Sequence, residues 1–298
     1  MALLIKTLFF LVQLLPVRFV GAVGAGLGRL LYLLDSRHRN IALRNLNRIY
    51  PEKDHAWRIR TAHESFAELG RSMFEMPFVF MRSRAFLLSR IEVIGEAEYL
   101  AAAQQGHGII VTAMHHSNWE LGALSISLLG HESDMIYRSI RQPKLDDFVL
   151  KARSRFGTRL HSRTDGVRWL PRALKNGHTV AVMIDQHISN GTPVPFLGHM
   201  ANTTTMPATF AAKYKSPIFA ARLERIGRSF RFQLHLWPIE VAHTNSAKTS
   251  SDKLEGEIKT MQAVCEAFAP IIHQRPELWL WIHRRWLYLD EREQQAAA

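Results

Sequence analysis

The sequence predicts an α/β protein, a mixed sheet flanked by helices, behind an N-terminal hydrophobic segment that anchors it to a membrane. Three observations predict it. Short β-rich runs alternate with helical patterns through the middle of the chain, as in layered α/β proteins. The last two runs, PIFAARLER at 217–225 and SFRFQLHLW at 229–237, flank Ile226-Gly227-Arg228 and read as an antiparallel hairpin, which disfavours a wholly parallel sheet. The first 34 residues are almost uncharged.

Taken in order, residues 2–17 read ALLIKTLFFLVQLLPV, and a second apolar stretch runs from Phe19 to Leu34 with Arg29 its one charge. No small-x-small cleavage site follows the first piece, and Pro16 and Arg18 interrupt it short of the ~20 residues of a spanning helix. We therefore read 1–34 as a retained anchor, spanning or interfacial, followed by basic Arg37, Arg39 and Arg44 on the cytoplasmic side. A buried pair of core helices is the alternative. Gly24 and Gly28 form a small-xxx-small pair. The remainder, 35–298, contains no linker and reads as one domain. From 36 to 90 apolar residues recur at three and four, giving two or three amphipathic helices punctuated by Pro51 and Pro77. The α/β core spans 91–240, with further strand runs IEVIG at 91–95, GIIVTAM at 108–114, SDMIYR at 133–138 and TVAVMID at 179–185. A closing helix at 254–273, a short WLWIHRRW element at 279–286 and a frayed EREQQAAA tail complete the chain.

Composition excludes disordered and repetitive classes: 47% of the 298 residues are hydrophobic, against 12 prolines and 17 glycines. Lys and Arg number 38 against 26 Asp and Glu, a net charge of +12, which points to a polyanionic partner. The single Cys265 forbids an intramolecular disulfide, fits a reducing compartment, and falls in a helical core pattern with Ile258, Met261 and Phe268.

The chemistry-bearing stretch is GIIVTAMHHSNWELGAL, an apolar strand that delivers two histidines into a helix start. Ligands of open α/β sheets bind at this carboxyl edge, and His115, Ser117, Asn118 and Glu120 converge there. On a continuous helix positions 115 and 120 diverge, but across a turn they can meet, and a carboxylate-held imidazole can take a proton from a hydroxyl. Ser117-Asn118-Trp119-Glu120 reads equally as an S-x-x-E capping box. His116 is a minor candidate, more simply a histidine satisfied near the core.

His115-x4-Glu120 within HHSNWE resembles the H-x4-D/E motif of the lysophospholipid-type acyltransferases. The chain is similar in particular to the lipid A late acyltransferase family (lauroyl and myristoyl transferases) of Gram-negative bacteria. The similarity extends through RNLNRIYP at 44–51, YRSIRQPKLDDFV at 137–149, RSRFGT at 153–158, MIDQ at 183–186, VPFLGHMANTTTMPA at 194–208 and PELWLWIHRRW at 276–286. It departs from the family at His116, where an aromatic or apolar residue is usual. The resemblance implies a glycerol-phosphate-acyltransferase-like fold and a cytoplasmic-face inner-membrane enzyme without a cofactor or metal. Such an enzyme moves a fatty acyl chain from acyl carrier protein to a hydroxyl of a lipid or glycolipid, and relatives acting on other lipids leave the acceptor open. It implies His115 as base, Glu120 as its orienting acid and Arg153 holding the anionic intermediate. Arg155 stands next to Arg153 for phosphate or oxyanion, and Asp185 is a supporting acid. His116, Asn118, Arg138, Thr203 and Thr204 are substrate-binding candidates, although Asn202 to Thr205 also read as ordinary turn and cap residues. Trp279, Trp281 and Trp286 fit either core packing or an interfacial belt.

Competing classes lack their signatures. There is no H-E-x-x-H or C-x-x-C for zinc, no G-x-S-x-G elbow, and Gly24-Ala25-Gly26-Leu27-Gly28 does not match the dinucleotide fingerprint. A basic module for nucleic acid or membrane surfaces accounts for the charge but carries no recognisable nucleic-acid motif, and no nucleic-acid partner is expected.

Overall fold

A computed structural model describes residues 2–241, 249–287 and 289–290. The apolar N-terminus forms α1 (Ala2–Val12) and α2 (Val17–Leu34), separated at Pro16. Three helices make up the entry region: α3 (Ser36–Ile49), α4 (His55–Met81) and the short α5 (Arg84–Leu88). Asp35, Asp54 and Ser83 accept hydrogen bonds from the first turns of α3, α4 and α5, which fixes where each begins. Pro51 falls in the turn between α3 and α4, as expected, but Pro77 does not end α4. The helix continues through it because Pro77 and its neighbours Phe78, Val79 and Phe80 are buried, and tertiary packing offsets the missing N–H.

The core follows as β1 (Ile91–Ile94), α6 (Glu96–Ala103), β2 (Ile109–Ala113), α7 (Trp119–Leu128), β3 (Ser133–Tyr137), α8 (Pro143–Ser154), β4 (Arg159–Ser162), α9 (Leu170–Lys175) and β5 (Thr179–Met183). After it come β6 (Thr192–Phe196), β7 (His199–Thr203), α10 (Met206–Tyr214), β8 (Ile218–Arg225), β9 (Phe232–Ile239) and α11 (Ser250–Gln274). All six expected strands are present. Two features went unanticipated: the edge strand β4 and the separate β6–β7 hairpin. The main sheet has the order β1-β9-β8-β2-β5-β3-β4. Strands β8, β2, β5, β3 and β4 run parallel, and β9 turns back antiparallel to β8 from Arg225 opposite Phe232 to Ile218 opposite Ile239. The expected hairpin is therefore what makes the sheet mixed.

Strand alternation divides the core into two layers. Ile110, Val180, Val182 and Ile218 face α9, α10 and α11, while Ile109, Val111, Phe219 and Leu223 face α7 and α8 and the end of α4. Cys265 lies in the first layer at 1% exposure, its thiol pushed up to about 12 by burial, so it is a packing residue. The expected frayed tail, 291–298, lies outside the described residues.

Helix α2 packs lengthwise on α4. A Cβ at Gly28 would lie 2.0 Å from the Phe66 carbonyl oxygen, and one at Gly70 only 2.2 Å from that of Gly24. The glycine pair therefore serves close backbone approach within the chain. The opposite side of α2 is apolar and exposed, with Phe19, Val23, Leu27, Leu30 and Leu34 uncovered.

Candidate active site

Register places the site. Strands β2 and β5 pair in parallel with Ala113 opposite Met183, so residues two positions beyond each strand, His115 and Asp185, emerge side by side at the carboxyl edge. The His115 Nδ1–H donates to Asp185 Oδ1 at 2.8 Å, and the His115 main-chain N–H to Oδ2 at 2.7 Å. Trp279 adds its indole N–H to Oδ2 at 2.9 Å. Burial alone would raise this carboxyl, but the His115 charge and the hydrogen bonds from His115 and Trp279 bring it down to about 2. Asp185 is thus a buried carboxylate with both oxygens engaged, and it fixes the His115 ring with the Nε2 lone pair outward.

That Nε2 faces Gln186, whose side-chain amide donates to it at 3.0 Å and to His283 Nε2 at 2.9 Å. Burial, followed by the charge of His115, lowers His283 to about 4, so it stays neutral and able to accept. The His115 side chain is 15% exposed, and Gln186 lies at the surface over it. Neither Gln186 nor His283 was singled out from sequence. The usable signal was that TVAVMID and GIIVTAM are equal apolar runs ending in polar pairs, as adjacent parallel strands of one site do.

Glu120 does not orient His115. Both of its oxygens accept from Arg153, Oε2 from Nε at 2.9 Å and Oε1 from a terminal nitrogen at 2.5 Å. The reason is geometric: Glu120 enters the first turn of α7 facing the last turn of α8, which carries Arg153. Nor does the capping box form. Asn118 caps α7 through Leu121 N–H at 3.2 Å, and Ser117, held left-handed at φ 53°, precedes the cap. Asn118 also donates to Glu75 at 3.0 Å and is fully buried, so it supports the turn from beneath instead of facing a substrate.

His116 points away from His115. It is 1% exposed, donates Nδ1–H to the Leu223 carbonyl at 3.3 Å, and is lowered to about 4 by burial. Arg155 braces the end of α4 through the carbonyls of Val79 and Arg82, with its guanidinium over Phe156, and is not presented to an anion. Thr203 accepts from Arg285 at 2.6 Å in a fully buried position, and Thr204 caps Met206 N–H at 3.2 Å. Arg285, buried between Gln186 and Asn202, ties the site loop to β7 through both carbonyls. Arg138 is exposed just after β3, at the same carboxyl edge as His115. Trp279, Trp281 and Trp286 are all buried, so they are core residues and not an interfacial belt.

Beneath the turn lies a buried ionic cluster. Arg225, at the end of β8, is 1% exposed and binds Glu68 at 2.6 Å and both oxygens of Glu75 at 2.8 and 2.7 Å. Arg71 meets Glu68 at 3.3 Å, and Ser72 donates to the Ser117 carbonyl at 3.1 Å. The left-handed Ser117 is thereby fixed from α4. Among the described residues no group of three or more His, Cys, Asp or Glu is arranged to hold a metal ion.

Comparison with known proteins finds relatives along nearly the whole chain. The chain is 27% identical over 288 residues to the lipid A biosynthesis lauroyltransferase of Escherichia coli, covering 94% of this chain and 89% of that protein. It is 24% identical over 281 residues to a lipid A biosynthesis acyltransferase of Haemophilus influenzae, covering 92% and 84% respectively. The E. coli lipid A biosynthesis myristoyltransferase matches at 25% over 175 residues, 59% of this chain and 54% of that one. The family model described as bacterial lipid A biosynthesis acyltransferase matches residues 1–288, and on that whole-length match the chain belongs to this acyltransferase family.

Proposed function

We propose that the protein transfers a fatty acyl chain from acyl carrier protein to a hydroxyl group of a lipid A precursor, at the cytoplasmic face of the inner membrane. The observation that carries this reading is the contact of His115 Nδ1 with the Asp185 carboxylate, an acceptor that calls for the proton on Nδ1 and leaves Nε2 free at the open edge of a chain from this family. The acceptor hydroxyl takes the place of the Gln186 amide at Nε2. His115 removes its proton as the oxygen attacks the thioester carbonyl, and Asp185 steadies the imidazolium. Collapse of the tetrahedral intermediate expels the carrier's thiolate, which takes the proton back from Nε2.

Negative charge on the intermediate is met by the Trp119 and Glu120 N–H groups that open α7, ahead of the Leu121 N–H that Asn118 caps, and by Arg153. Glu120 is then a positioning residue that holds the Arg153 guanidinium. Exposed Arg163 and Arg168 follow β4 at the same edge and suit an acidic carrier. The exposed apolar faces of α1 and α2 suit membrane contact.

The test is incubation of purified protein with acyl carrier protein thioesters or coenzyme A thioesters and a lipid A precursor, followed by mass spectrometry of the lipid. An acyl mass increment that requires the carrier-bound donor and vanishes in His115→Ala is expected. Product from the His115→Ala variant at the wild-type rate would end the reading.

A further inference from the structure

One face of α2 carries two arginines at the margin of its contact with α4. Arg18, Ala22, Ala25 and Arg29 recur at four, three and four residues, which is one stripe of a helix. That stripe lines an open cavity of about 410 Å³, whose other lining residues are Arg71 of α4 and Arg228 and Ser229 of the β8–β9 turn. Four guanidinium groups therefore border one small cavity, and its two alanines leave room beside the helix.

The charges around it do not cancel. Arg29 is paired with Glu64, and Arg71 with Glu68, whereas Arg18 and Arg228 make no ion pair among the described residues. Deeper in, Glu68 and Glu75 are held by Arg225. Five arginines thus face three glutamates, and the excess positive charge lies at the solvent side. Phe19, Val23, Leu27 and Leu30 stand exposed on the adjoining face of α2, and Ile226 is exposed at the turn that carries Arg228. Forked guanidinium groups match phosphate oxygens, and an uncovered apolar face alongside matches acyl chains.

We propose that this cavity, lined by Arg18, Arg29, Arg71 and Arg228, binds the phosphate of an anionic membrane lipid headgroup. It lies apart from His115, behind the Arg225 cluster, so it seats the protein on the bilayer and takes no part in acyl transfer. The inference rests on the membrane-contact part of the proposed function and not on its chemistry.

The experiment is flotation of the full-length protein with vesicles of phosphatidylcholine alone or with phosphatidylglycerol added. Preference for the anionic vesicles is expected. Arg18→Gln and Arg228→Gln should each weaken binding to them by about fivefold, the scale of one basic residue at an anionic surface, with phosphatidylcholine binding unchanged. Arg37→Gln removes the same charge from an exposed position outside the cavity and should leave the preference intact. Equal losses in Arg37→Gln and Arg18→Gln would mean diffuse attraction and overturn the site. Equal binding to both vesicle types would overturn it while sparing membrane contact, and binding to neither would sink both. If inorganic phosphate stabilises the detergent-solubilised protein through Arg18 while vesicles show no preference, the ligand is a soluble phosphate and the lipid assignment fails.

Discussion

Asp185→Asn is the most discriminating substitution in the site. One oxygen position of Asp185 accepts two N–H groups, from the His115 main chain at 2.7 Å and the Trp279 indole at 2.9 Å, while the other accepts the imidazole Nδ1–H at 2.8 Å. An asparagine satisfies the first two by placing its oxygen there, which turns its NH₂ toward Nδ1. The ring must then accept at Nδ1 and carry its proton on Nε2, where it can no longer take one from a hydroxyl. Loss of the reactive tautomer should lower turnover about 10³- to 10⁴-fold, or about 4 to 5.5 kcal/mol of barrier. The volume is unchanged, so KM should move little. Glu120→Gln keeps an acceptor for Arg153 and should cost only about tenfold, the loss of one charge-assisted contact. Steady-state acyl transfer by mass spectrometry, with ¹⁵N imidazole spectra to read the tautomer, measures both effects. An Asp185→Asn enzyme that retains a tenth of its activity, or a Glu120→Gln enzyme that loses more than it does, would refute the Asp185 assignment.

Three further outcomes follow from the same structure. His116 is held at about 4 in the fold against an ordinary 6.5, so its contribution to stability is complete above about pH 6.5 and is lost as pH falls toward 4. At pH 5 that loss is about 2 kcal/mol, roughly 3 °C in Tm for a chain of this size; His283 adds in the same direction, and thermal melts of wild type and His116→Leu from pH 8 to 5 should show a shallower slope in the variant. Glu75→Leu leaves Arg225 buried with half of its carboxylate partners gone and should destabilise by about 3 to 5 kcal/mol in urea titration; an unchanged midpoint would mean the cluster is not needed. Gly28→Val places side-chain atoms where even a Cβ meets the Phe66 carbonyl, so α2 should lift from α4 and limited proteolysis near Arg29 and Arg37 should accelerate.

The apolar runs, their lengths and their alternation specify six strands, and Ile226-Gly227-Arg228 specifies the hairpin, because burial on a period of two and turn chemistry are local properties. The short edge strand β4, half covered and rich in polar residues, carries no such pattern, and the β6–β7 hairpin contains two prolines that argue against a strand. Pro77 misled for the opposite reason, since packing against the core outweighed a local rule. At the site, the strand-to-helix junction and the candidacy of His115 were legible, as was Asp185 through the family pattern. Which carboxylate reaches His115 was not, because that depends on β2 and β5 being neighbours in register, a pairing between segments some 70 residues apart. Spacing along the chain favoured Glu120; adjacency across the sheet selected Asp185, and α8 claimed Glu120 for Arg153.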